Sequence, residues 1–118
     1  MVLAAVDDIF FASKITAAAK QLGVEVRFSR TPADIVDRAR EFRPALAIFD
    51  LNSRQTDPLA TIATLKEDAS LSAMRVIGFV SHVQADLIEA ARATGIDEVM
   101  ARSAFTTRLP EILKSASA

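Results

Sequence analysis

The stretch ALAIFDLNSRQ, residues 45–55, decides the fold. Its first five residues, Ala45 to Phe49, carry no charge and read as a strand buried on both faces. Asp50 follows at once. A carboxylate at the end of a strand that runs through the middle of a core needs a reason, and the rest of the chain supplies one.

Upstream, Thr31-Pro32-Ala33-Asp34 reads as a helix start. Thr31 caps, Pro32 takes the first helical position and Asp34 reaches back toward the cap. Ile35, Ala39 and Phe42 continue an apolar stripe that Pro44 ends. Val24–Phe28 alternates as a strand with Val24, Val26 and Phe28 on one face. Before it, Phe11, Ile15, Ala18 and Leu22 recur at helical spacing, and Gly23 stops that helix. Val2–Val6 is a short apolar strand that stops at Asp7 and Asp8, and Phe10 and Phe11 read as rim and core. Downstream, Pro58 opens a helix carrying Leu59, Ile62 and Leu65, and Val76–Val80 is a fourth strand. A helix through Leu87, Ala90, Ala91 and Thr94 ends at Gly95, and Glu98–Ala101 is a short fifth strand. Leu109, Ile112 and Leu113 mark a last helix, with Pro110 expected in its first turn, where a missing N–H costs little.

Strand and helix alternate five times, and the strands are continuous apolar runs. That pattern predicts a parallel sheet covered on both faces, an α/β doubly wound sandwich with right-handed crossovers. No linker, repeat or low-complexity segment interrupts it, so residues 1–118 read as one domain with no appended output domain.

Composition narrows the function classes. About half the residues are hydrophobic, enough for a proper core. Lys plus Arg number 14 against 15 Asp plus Glu, so no basic excess points to nucleic acid. Without cysteine there is no disulfide framework and no thiolate metal site, which fits a reducing, cytoplasmic setting. No apolar run approaches the roughly 20 residues that span a bilayer, and MVLAAVDDIF turns acidic too soon for a signal peptide. The small, polar tail KSASA is expected to fray.

In an open parallel sheet, ligands bind beyond the carboxyl ends of the strands, where strand order reverses. Asp50 ends strand three, Asp7 and Asp8 follow strand one, Ser81 follows strand four and Arg102 follows strand five. If strands one and three are neighbours, three carboxylates, a hydroxyl and a guanidinium meet on one edge. Three carboxylates repel unless a cation sits among them, and hard oxygen ligands suit Mg²⁺.

Four pieces of the chain, in order and together covering nearly all of it, resemble the receiver domains of bacterial two-component response regulators. VLAAVDD resembles that family's first strand with its acidic pair, and LAIFDLN the third strand ending in the phosphoacceptor aspartate. GFVSH resembles the fourth strand with its switch hydroxyl, and GIDEVMARSAF the region that normally ends in Lys-Pro-Phe. The resemblance implies a flavodoxin-like receiver fold with strand order 2-1-3-4-5. It implies that Asp50 accepts phosphate from a histidine kinase or a small phosphodonor. It implies that Asp8, with Asp7 assisting through water, holds Mg²⁺ together with Asp50 and the backbone carbonyl of Asn52. Ser81 would bind the phosphoryl group, and Arg102 stands where the family has lysine. A downstream protein partner would use the face of the fourth helix, fifth strand and fifth helix, residues 84–113. Neither nucleic acid nor membrane is implied, and a weak homodimer is left open.

The sequence departs from the family at several positions. Arg102 keeps the charge of lysine but is bulkier and forked. Ser103 replaces a proline, so the preceding peptide is expected trans on a different path. Val99 stands where a switch Tyr or Phe is usual, so the structural response to phosphate is expected to be muted. His82 would overhang the site, and Pro58 replaces a common glycine. Plainer readings stand beside these. An acidic pair after a strand can be a turn with a helix cap, Arg102 a surface residue, Ser81 an N-cap, and His82 a loop residue. Three functions therefore compete: a phosphorylatable receiver, a pseudo-receiver that signals without phosphate, and a small nucleotide-binding α/β enzyme. The last ranks far below, because the three glycines make no phosphate loop. A self-phosphorylating receiver is not classed as an enzyme.

Overall fold

The computed structural model describes residues 1–81 and 84–117; His82 and Val83 lie outside the described residues, and with them the expectation for His82. The order is β1 (Val2–Ala5), α1 (Ile9–Leu22), β2 (Val26–Phe28), α2 (Pro32–Phe42), β3 (Leu46–Asp50), α3 (Pro58–Glu67), a 3-10 turn (Ala69–Leu71), β4 (Arg75–Val80), α4 (Ala85–Ala93), β5 (Glu98–Ala101) and α5 (Arg102–Ser117). All five strands pair in parallel in the order β2-β1-β3-β4-β5. Strand order reverses at β1, whose carboxyl end abuts that of β3 through the Ala5–Phe49 pair.

Alternation along the buried strands divides the core in two. Val2 and Ala4 of β1, Leu46 and Ile48 of β3, Ile77 and Phe79 of β4 and Met100 of β5 face α1 and α5. Leu3, Ala5, Ala47, Phe49, Val76 and Val80 face α2, α3 and α4. This two-sided burial is why the strands read as unbroken apolar runs. On the α1–α5 side, the rings of Phe11, Phe79 and Phe105 pack with centroids 4.7 to 5.7 Å apart. Phe10, one residue away, is 85% exposed, so it stands clear of the rim altogether, beside an exposed Ile9.

Several local expectations need correction. β2 is shorter than the apolar alternation, because Val24 turns out of the ladder: its N–H donates to the Ala19 carbonyl while its side chain stays in the core. Thr31 caps α2 through the Asp34 N–H, but the Asp34 carboxylate does not close the box. It accepts from the Ser29 hydroxyl and from Arg38 instead. Ala90 is exposed, leaving Ala91 as the buried residue of α4. α5 begins at Arg102, directly after β5, so Pro110 lies in the middle of the helix and not in its first turn. The stripe Phe105, Leu109, Ile112, Leu113 and Ala116 is buried throughout and carries the helix past an exposed Pro110. Packing of that stripe outweighs the lost backbone bond.

Candidate functional site at the carboxyl edge of the sheet

Asp50 is the last residue of β3 and is only 8% exposed. Its Oδ1 accepts the Asn52 N–H at 2.9 Å. Burial pushes its carboxyl above the ordinary range; the Asn52 N–H opposes this, the charges of Asp7 and Asp8 add to it, and Arg102 relieves it in part. The edge is therefore short of positive charge around its most buried acid.

Asp8 fulfils the plain reading of a helix cap. Its Oδ1 caps α1, accepting from the N–H groups of Phe10 at 2.9 Å and Phe11 at 3.2 Å. Its Oδ2 accepts from an Nη of Arg102 at 3.1 Å. The Phe11 N–H above all, with Arg102 and Phe10, holds this carboxyl below its usual value against the effect of burial. Arg102 is consequently no surface ornament. As first residue of α5 it reaches across to the start of α1, and its guanidinium lies 4.3 Å from the centroid of the Phe11 ring. Asp7 accepts from the hydroxyl of Ser53, a buried residue, at 2.9 Å.

Asn52 has a part that its place in the sequence did not disclose. Its Oδ1 accepts the Ser81 N–H at 2.8 Å and its Nδ2 donates to Gln84 Oε1 at 2.9 Å. The loops after β3 and β4 are thereby tied by the side chain of a residue expected to contribute only its backbone carbonyl. Ser81 is held through its backbone and does not cap α4, whose N-cap is Gln84. Val99 sits opposite Gly78 in the sheet, half-buried against the α3–α4 side of the core.

The acidic side chains do not form a closed metal cradle. Among the described residues, no three His, Cys, Asp or Glu side chains are grouped closely enough to hold a metal ion. Asp8 is turned to the helix N-terminus and to Arg102, and Asp7 to Ser53. The donor chemistry still fits a hard divalent cation: acidic oxygens from two adjacent strand ends, with a buried carboxylate in want of positive charge. A groove of about 470 Å³ lies elsewhere, between α1 and β2, lined by residues such as Ile9, Lys20, Phe28 and Arg30. It contains no carboxylate, so the charge chemistry belongs to the sheet edge. No described helix is long and apolar enough to cross a membrane.

No protein-family model and no curated protein sequence matches this chain. Solved structures do. The phosphorylated cyanobacterial phytochrome response regulator RcpA is 21% identical, with a TM-score of 0.78 over 97% of this chain and 88% of that one. A response regulator from Chloroflexus aurantiacus reaches 0.84 at 15% identity, covering 98% and 94%. The Mn²⁺-bound form of response regulator Rcp1 gives 0.77 at 14% identity, covering 94% and 89%. The chain has the flavodoxin-like fold of response-regulator receivers, with the strand order the sequence predicts.

Proposed function

We propose that this chain, with its receiver fold, is a signalling module that accepts a phosphoryl group on Asp50 and passes the signal on by protein contact. The observation that supports this reading most is the placement of Asp50: a buried carboxylate at the carboxyl edge shared by β1 and β3, with the Asn52 N–H on one oxygen and the positive charge of Arg102 nearby. In the transfer, an Asp50 oxygen bonds to phosphorus as the bond from phosphorus to the donor's histidine nitrogen or acyl oxygen breaks, and the donor keeps that electron pair. Such transfer depends on positioning and on neutralising charge spread over the phosphoryl oxygens. Asn52 orients the carboxylate, Ser81 stands at the adjoining strand end, and Arg102 supplies a fixed positive charge within the edge. Mg²⁺ would be held by Asp7, Asp8, Asp50 and the Asn52 carbonyl, and it supplies further neutralisation of phosphoryl charge. The neighbours RcpA, phosphorylated, and Rcp1, Mn²⁺-bound, accord with this chemistry.

Val99 carries no ring to swing into space vacated at the fourth strand end, and its single χ1 torsion is stiff. The response to phosphate is accordingly local, and a protein partner reads the face of α4, β5 and α5. A histidine kinase or small phosphodonor is the source of phosphate. A second reading, a pseudo-receiver that binds partners without phosphate, is favoured by the Asp8–Arg102 pair, which already satisfies part of the acidic edge.

Incubation with Mg²⁺ and a small acyl phosphate, followed by intact mass, tests the choice. One added phosphoryl group on the wild type and none on Asp50→Asn is the expected result. Absence of adduct on both, including with a histidine phosphodonor, selects the pseudo-receiver.

A further inference from the structure

Among the described residues, the cation that acts on the acidic edge is the chain's own Arg102. Arg102 is fixed on two sides, by Asp8 Oδ2 at 3.1 Å and by the Phe11 ring at 4.3 Å. Asp8 has its other oxygen committed to two backbone N–H groups of α1. Among the described residues no three ligating side chains are gathered, at this edge or elsewhere. A divalent ion recruiting Asp8 must therefore take the oxygen that Arg102 holds, and it would arrive beside a like charge in a half-buried site.

We propose that Arg102 is an internal counter-cation that competes with divalent metal for Asp8, so that metal enters only as the guanidinium leaves. This rests on the reading of the edge as a receiver pocket, but it concerns metal and not phosphate. Arg102 acts as a positioning residue: it sets which oxygens of Asp8 are free. Because an equilibrium shifts only through differential affinity for its two states, the released guanidinium needs another anion, and a phosphoryl group at Asp50 provides one. Metal and phosphoryl group then favour each other's binding, and the coupling is reciprocal.

The test follows Mg²⁺ binding by NMR in wild type, Arg102→Met and Asp8→Asn. Methionine keeps an apolar stem over Phe11 and removes the charge. In the wild type, the Arg102 side-chain protons carry a ring-current shift from Phe11, and metal that saturates the Asn52 and Leu51 amide shifts should abolish it. Arg102→Met should bind Mg²⁺ about tenfold more tightly or better, within the usual range of such couplings; Asp8→Asn should bind little. A folded Arg102→Met with unchanged or weaker affinity overturns the proposal. So does an Arg102 ring-current shift that persists at metal saturation. Absence of metal binding in wild type and Arg102→Met alike overturns it together with the metal role, while leaving the phosphoryl-adduct experiment to judge Asp50 separately.

Discussion

The Asn52 side chain accepts the backbone N–H of Ser81 at 2.8 Å, joining the loop that follows β3 to the loop that follows β4. Both loops border Asp50, so this bond fixes the spacing of the edge. Asn52→Ala removes it together with the Gln84 bond. We expect a loss of about 1–2 kcal/mol, the usual scale for a part-buried side-chain bond that leaves a donor unpaired. Amide exchange should quicken at Ser81 well before it does at Phe79; equal protection in the variant would refute the latch.

Burial and the neighbouring acids push the Asp50 carboxyl up, so the folded state disfavours its charge. Asp50→Asn should therefore be more stable than wild type at neutral pH, on the order of 1 kcal/mol. A raised pKa means the native state takes up its proton first as pH falls. The advantage of Asn should shrink as pH drops through the raised Asp50 value and be gone below the ordinary carboxylate range. Denaturant titrations of both proteins across acid pH check the sign.

Other carboxylates titrate the opposite way. The Phe11 N–H holds Asp8 low, the Ser29 hydroxyl holds Asp34 low, and the Ser70 hydroxyl with Arg40 holds Asp68 at about 2. Each contributes stability that is complete above the unfolded value near 4 and lost as pH falls through the lowered folded value. The Asp50→Asn background should expose this loss cleanly, with stability declining from about pH 4 toward 2. A flat profile there would contradict the assigned bonds.

Gly78 lies in β4 opposite Val99, and a Cβ on it would come within 2.9 Å of Leu51 and Ile96. Leu51 follows Asp50 and donates its N–H to the Phe79 carbonyl at 2.9 Å. Gly78→Ala should cost about 1–3 kcal/mol through overpacking. It should also shift the Asn52 amide resonance, because the displaced Leu51 sits between the sheet and the site.

Thr56 is wholly buried, and its hydroxyl has no hydrogen-bond partner among the described residues. Its backbone N–H and carbonyl are both engaged, by Ser53 and Thr61. Thr56→Val keeps the shape and removes the orphaned group, so we expect a gain of about 1 kcal/mol. A loss of stability on chemical denaturation would show that the hydroxyl is satisfied after all.

The sheet was legible because strands buried on both faces leave an uninterrupted apolar signature, and helix stops such as Gly23 have a steric cause. Asp7, Asp8 and Asp50 could be placed at one edge by topology alone. What their side chains bond to could not. The Asp8–Arg102 pair joins the N-cap of α1 to the start of α5, and the Asn52–Ser81–Gln84 tie depends on two loops meeting; neither leaves a local pattern. Pro110 misled for a different reason. A proline is a sound first-turn signal when read locally, but here the stripe from Phe105 to Ala116 had already committed those turns to the core.

The sequence holds seven phenylalanines and neither tyrosine nor tryptophan. Three of the seven form the Phe11–Phe79–Phe105 cluster, whose Phe11 ring lies beneath Arg102. The protein is thus nearly dark to fluorescence and to ordinary protein absorbance. Its near-ultraviolet circular dichroism, a signal that vanishes when side-chain packing is lost, must come from phenylalanine alone. This three-ring cluster of near-ultraviolet chromophores meets the acidic edge through Phe11. Movement of the arginine should register in its fine vibronic bands, without any label.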